Sequence, residues 1–114
     1  IEGWKAYFED LAKLRSAFEK SLIVYEIRKN NEIIGFIRLL GDGIHTLLIQ
    51  DLLIRKEERG KGIGSKVIND IIEIYKDVRQ VIVLCDSEKE LVEFYKRNRF
   101  KTISENGIQC FGIF

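Results

Sequence analysis

The run Arg59-Gly60-Lys61-Gly62-Ile63-Gly64-Ser65 joins two things that an anion needs, backbone donors and positive charge. It follows an apolar run and precedes a helical pattern, so the loop lies where a strand ends and a helix begins. The first N–H groups of a helix have no intrahelical acceptor, and the helix dipole adds partial positive charge beside them. Glycines remove the Cβ atoms that would hold a phosphate away from those donors. Arg55, Lys56, Arg59, Lys61 and Lys66 against Glu57 and Glu58 leave a local excess of three positive charges. A diphosphate is the expected guest. A dinucleotide fingerprint would need a further glycine where Val67 stands, and a P-loop would need Gly-Lys-Ser where Gly64-Ser65-Lys66 stands. What remains is a short Arg-x-x-Gly-x-Gly loop between strand and helix.

The elements that must position this loop are legible on either side of it. Trp4, Tyr7, Phe8, Leu11, Leu14 and Phe18 recur at helical spacing, which predicts one amphipathic helix of about four turns. Leu22–Arg28 and Glu32–Leu40 read as strands around Lys29-Asn30-Asn31, a hairpin turn because Asn tolerates left-handed backbone. His45–Ile54 is a third strand, and a wide apolar face predicts a helix from about Lys61 to Lys76. Val81–Cys85 is a short, wholly apolar strand, expected at a buried central position and parallel to the third. Ser87-Glu88-Lys89-Glu90 reads as a capping box that starts a helix at Ser87 and carries it to about Asn98. Phe100–Ser104 and Ile108–Phe114 flank Asn106-Gly107, which predicts a closing hairpin. The order is α-β-β-β-α-β-α-β-β, an α/β chain with a mixed sheet.

Composition bounds the function. The chain has 114 residues and 46% hydrophobic residues, enough for one domain with its own core. Nineteen basic against 18 acidic residues argue against a strongly basic nucleic-acid binder. Lys96, Arg97, Arg99 and Lys101 cluster without stacking glycines, and a solvated helix end accounts for them. No apolar run approaches the ~18 residues of a membrane span. Met and Pro are absent, so the first residue reads as a processed or trimmed end. Cys85 and Cys110 read as small buried residues in strands, with no metal spacing, which fits a reducing, cytoplasmic compartment.

Ile49 to Ser65, read as one unit, resembles the acetyl-CoA-binding signature of the GNAT superfamily of N-acetyltransferases, and Phe94-Tyr95-Lys96-Arg97-Asn98-Arg99-Phe100 resembles that family's later FYxxxGF segment. The resemblance covers nearly the whole of residues 1–114 and implies an acyl-CoA N-acyltransferase fold with one splayed parallel strand pair. It implies that the backbone of Arg59, Gly60, Lys61, Gly62, Ile63, Gly64 and Ser65 cradles the CoA diphosphate. Leu52, Leu53 and Ile54 would present backbone to the pantetheine arm, and a bulge would aim an N–H at the thioester carbonyl. Tyr95 would be the general acid that protonates the leaving thiolate. For the base, Asp51 is favoured over His45 by its place on the strand leading into the site. The reaction implied is direct acetyl transfer to a primary amine in a ternary complex, without a metal or a cysteine carrier. A non-catalytic acyl-CoA sensor is the alternative.

The chain departs from the family pattern at four places. Lys56 stands where relatives often carry Pro, Glu88 where an Asn often contacts CoA, and Arg99 where Gly is usual. Arg99 is expected to rearrange the turn after Tyr95. The usual first strand and one N-terminal helix have no counterpart before Leu22, so the expectation is an open acceptor side, one covered by a second copy through the aromatic first helix, or a native chain of which part is missing.

Overall fold

The computed structural model describes residues 10–114. Its elements are α1 (Leu11–Glu19), β1 (Ile23–Lys29), β2 (Glu32–Gly41), β3 (Thr46–Ile54), a 3-10 turn (Lys56–Glu58), α2 (Ile63–Ile74), β4 (Gln80–Val83), α3 (Lys89–Arg97) and a second 3-10 turn (Ile103–Asn106). The four strands form one mixed sheet in the order β1-β2-β3-β4. β1–β2 and β2–β3 are antiparallel, and β3–β4 is parallel across α2, as the strand-helix-strand reading requires. The β1–β2 turn is made by Asn30 and Asn31 at φ 52° and 67°, the left-handed pair that a two-residue hairpin demands.

Both faces of the sheet are covered. On one, Ile37, Leu39, Leu47 and Ile49 pack with Ile68 and Ile71 of α2 and Tyr95 of α3 into the core. On the other, Arg38 reaches Asp51 across the β2–β3 register, Nε to Oδ2 2.6 Å, with both side chains buried. Arg38 also donates to Ser21 Oγ at 3.3 Å and lies over the Phe18 ring at 5.5 Å, which ties the end of α1 to the sheet.

A bulge decides which residues face which side. Arg38 pairs with Asp51 but Leu39 pairs with Ile49, so Gln50 is an extra residue in β3. Ile49 and Asp51, two apart, would otherwise share a face. The inserted residue sends Ile49 into the core and Asp51 to Arg38, and Leu52 returns to the core side.

Several sequence expectations are corrected. Phe100–Ser104 and Ile108–Phe114 form no strands among the described residues. Only Gly107 of the Asn-Gly pair is left-handed, and residues Ile103–Asn106 curl into a 3-10 turn instead of a hairpin. β4 is therefore an edge strand, not a central one, and the apolar Phe111, Ile113 and Phe114 are exposed. Cys85 and Cys110 are exposed and lie outside strands. The capping box does not form: α3 begins at Lys89, with Glu88 at the N-cap and no side-chain cap bond. Asp10 caps α1 by accepting from the Lys13 N–H, so α1 starts at Leu11; the predicted positions Trp4, Tyr7 and Phe8 lie outside the described residues.

Removing one member of a buried ion pair strands the other charge. Asp51→Ala is expected to lose about 3 kcal/mol in urea unfolding. An Arg38→Met/Asp51→Leu double variant is expected to lose clearly less, and an equal or larger loss in the double variant would refute the account.

Candidate active site

The parallel β3–β4 ladder runs from Thr46–Gln80 to Ile49–Val83 and stops at the bulge. β3 continues through Leu52, Leu53 and Ile54 with β2 on one side and no strand beside it on the other, among the described residues. Pairing between the two parallel strands thus ends where the resemblance placed the splay. β4 stops at Val83, which leaves Leu52–Ile54 of β3 with an open edge on that side among the described residues, and α2 starts beyond the far end of β3.

The glycine loop turns the chain from β3 into α2 through left-handed residues. Gly60 and Gly62 sit at φ 75° and 82°, and a Cβ at either would meet nothing within 4 Å. Gly62 is the N-cap, so no side chain closes the first turn of α2, and that turn holds no acidic residue. The helix start therefore presents its donors through an open cradle, which fits a diphosphate. Gly64 has a different task. A Cβ there would come within 3.2 Å of Phe94 Cζ, so Gly64 lets α3 pack close against the start of α2.

The basic excess is smaller in space than along the chain. Lys61 pairs with Glu58 at 3.4 Å, Lys66 with Asp70 at 2.8 Å and Arg55 with Glu32 at 3.7 Å. Glu58 also accepts from Lys29 at 2.9 Å, and that bond, with the Lys61 one, holds its carboxyl below the usual range. Arg59 turns back so that Nε donates to the Ile54 carbonyl at 2.9 Å. Among the described residues, Lys56 and Arg59 are the loop cations without a carboxylate partner. Exposed pairs of this kind are weak and screened, so an anion placed here would be held more by backbone donors than the charge count implies.

Tyr95 is 9% exposed, between Phe94 and Phe100, whose rings meet it edge-on at 5.0 and 5.6 Å. Burial, with Cys85 nearby adding to it, pushes its phenol up to about 12. The neutral, proton-bearing form is therefore kept across the physiological range. Cys85, two residues past β4, is brought beside Tyr95, a neighbour the sequence reading did not foresee. Although Cys85 is exposed, partial desolvation by its neighbours, with the Asp86 charge, pushes its thiol up, which disfavours the nucleophilic thiolate. Asp51 lies on the Arg38 face, its Oδ2 engaged. His45 is exposed just before β3, beside Asp42, which caps the loop by accepting from the Ile44, His45 and Thr46 N–H groups.

A second residue missed in the sequence is Asn98, 5% exposed, which sits between α2 and α3. It donates to the Phe94 carbonyl at 2.8 Å and to Ser65 Oγ at 3.1 Å, and accepts from Asn69 at 3.1 Å. Its signal was an amide closing the apolar face of Leu91, Phe94 and Tyr95.

The expected rearrangement after Tyr95 does not occur. Arg99 takes the left-handed conformation, φ 79°, that Gly usually supplies. The Phe100 N–H donates to the Tyr95 carbonyl at 3.1 Å, closing a Schellman turn in which the two rings also touch. Glu88 provides the N-cap position of α3 rather than a contact to the loop.

Among the described residues no group of three or more His, Cys, Asp or Glu side chains is placed to hold a metal, and no helix is long and apolar enough to cross a membrane.

A family model described as the acetyltransferase (GNAT) domain matches residues 1–111. The chain is 30% identical over 106 residues to the uncharacterised N-acetyltransferase ycf52 of Gracilaria tenuistipitata var. liui, with 88% of this chain and 56% of that protein aligned. It is 27% identical over 102 residues to ycf52 of Pyropia yezoensis, covering 86% and 58%. The chain thus spans less than three-fifths of these relatives. Among solved structures, the GNAT-family acetyltransferase SP0256 of Streptococcus pneumoniae aligns with TM-score 0.79 and 28% identity over 90% of this chain and 76% of its own. A GNAT-family acetyltransferase of Elizabethkingia anophelis, solved with acetyl-CoA bound, shares the fold with TM-score 0.70 at 23% identity, over 78% and 60%.

An Arg in left-handed backbone costs about 1 kcal/mol relative to Gly. Arg99→Gly is expected to raise the melting temperature by about 4 °C. A fall would mean that the Arg99 side chain contributes more than its backbone costs.

Proposed function

On the premise that the chain belongs to the GNAT acetyltransferase family, we propose that it transfers an acetyl group from acetyl-CoA to a primary amine by direct attack in a ternary complex. The observation that carries this reading is the end of the β3–β4 ladder at Ile49–Val83, at the bulge, with the uncapped start of α2 beyond it. Acetyl-CoA supplies an activated thioester. The chain's own residues bind, orient and move a proton. The backbone from Arg59 to Gly64, with Ser65, takes the diphosphate. Leu52, Leu53 and Ile54 take the pantetheine arm as an added strand would, through backbone bonds.

Tyr95 is the general acid. Its hydroxyl keeps its proton at neutral pH and delivers it to the departing sulfur, and its ring position is held by Phe94 and Phe100. Cys85 stays a thiol beside it, which favours direct transfer over a cysteine carrier. Asp51 acts differently from the base that its place in the sequence suggested. Its carboxylate holds Arg38 and fixes the bulge, so it positions the open edge of β3, and the proton of the incoming ammonium leaves to water.

Acetyl-CoA at 100 times its dissociation constant is expected to stabilise the protein by about 2.7 kcal/mol in a thermal-shift assay. No shift with acetyl-CoA, CoA or longer acyl-CoAs would sink the proposal. With an accepted amine, Tyr95→Phe is expected to lower kcat about 100-fold with little change in acetyl-CoA affinity. Binding without turnover of any amine would instead favour the acyl-CoA sensor.

A further inference from the structure

The buried amide of Asn98 connects the anion cradle to the helix that carries Tyr95. Its orientation is fixed by its neighbours. The Phe94 carbonyl, 2.8 Å away, can only accept, so the side-chain nitrogen of Asn98 must face it. That nitrogen has a second proton, which goes to Ser65 Oγ at 3.1 Å, while Oδ1 accepts from Asn69. Asn69 is held in turn by the Ser65 carbonyl at 2.7 Å. Every polar atom of the Asn98 side chain is thus committed, and Ser65 is held as an acceptor.

A hydroxyl that accepts from one side has its own proton left to give elsewhere. Ser65 Oγ donates to no acceptor among the described residues. It lies in the first turn of α2, three residues after the open left-handed Gly62, beside the donors of the cradle. We propose that Asn98 is a positioning residue that turns the Ser65 hydroxyl proton toward the diphosphate of bound acetyl-CoA, adding a side-chain donor to the backbone ones. This rests on reading the glycine loop as the diphosphate site.

The test is calorimetric titration of wild type, Ser65→Ala, Asn98→Asp and the double variant with two ligands, acetyl-CoA and S-acetylpantetheine, which lacks the diphosphate. In Asn98→Asp the carboxylate accepts the Ser65 proton and draws it away from the cradle. Ser65→Ala and Asn98→Asp are each expected to bind acetyl-CoA about tenfold more weakly than wild type, the scale of one hydrogen bond to a charged group. The double variant is expected to be no weaker than Ser65→Ala, and S-acetylpantetheine to bind all four alike. A further loss in the double variant, or an equal loss of S-acetylpantetheine affinity, would overturn the proposal. So would wild-type affinity in Ser65→Ala, an outcome that can be read even if Asn98→Asp fails to fold. No binding of acetyl-CoA by the wild-type protein would overturn the reading of the loop itself, and this proposal with it.

Discussion

The fold turns on the buried contact between Arg38 and Asp51. Two opposite charges lie within the sheet, across neighbouring strands, where an unpaired ion would be costly. The pair is possible only in one register, because Asp51 must reach the face opposite the core while Ile49 stays in the core. That requires the extra residue Gln50. The bulge and the ion pair therefore specify one another: slipping the strand by one residue would bury a carboxylate among Ile68, Ile71 and Tyr95. The β3–β4 ladder ends at the same step, so the open edge of β3 begins at the bulge.

The second organising contact is between α2 and α3. Gly64 admits the Phe94 ring at a distance where any side chain would interfere, and Asn98 links the same two helices through hydrogen bonds. The glycine loop and Tyr95 consequently sit on elements that pack directly. Phe94 belongs to both arrangements, touching the loop on one side and Tyr95 on the other. This division explains why three neighbouring glycines are not equivalent: two leave room for a ligand, and one leaves room for a helix.

Local chemistry was legible along the chain, and pairing at a distance was not. Asn30-Asn31 named its own turn because the conformational demand falls on those two residues. The glycine loop named its own backbone for the same reason, with Gly60 and Gly62 left-handed. Asp51 did not name its partner, since Arg38 lies 13 residues earlier and is opposite it only through the bulge. The five cations near the loop were countable, but Glu32 and Asp70 come from β2 and from the next turn of α2. Asn106-Gly107 has the residues of a hairpin, yet the flanking Ile103 and Ser104 wind into a tighter turn. Ser87 and Glu90 had cap spacing, but the helix begins after Glu88.

The inserted residue in β3 also makes that strand unequal in what it can absorb over time. Leu53, half-buried beyond the bulge, can be replaced without moving the register. Losing Gln50 would leave Ile49 and Asp51 as consecutive residues on opposite faces, as in a regular strand, with Asp51 still opposite Arg38 and Leu52 opposite Ile37. Losing a residue elsewhere in the strand would turn the positions beyond it to the other face. A change of length between Thr46 and Ile54 is therefore absorbed at the bulge and disruptive on either side of it.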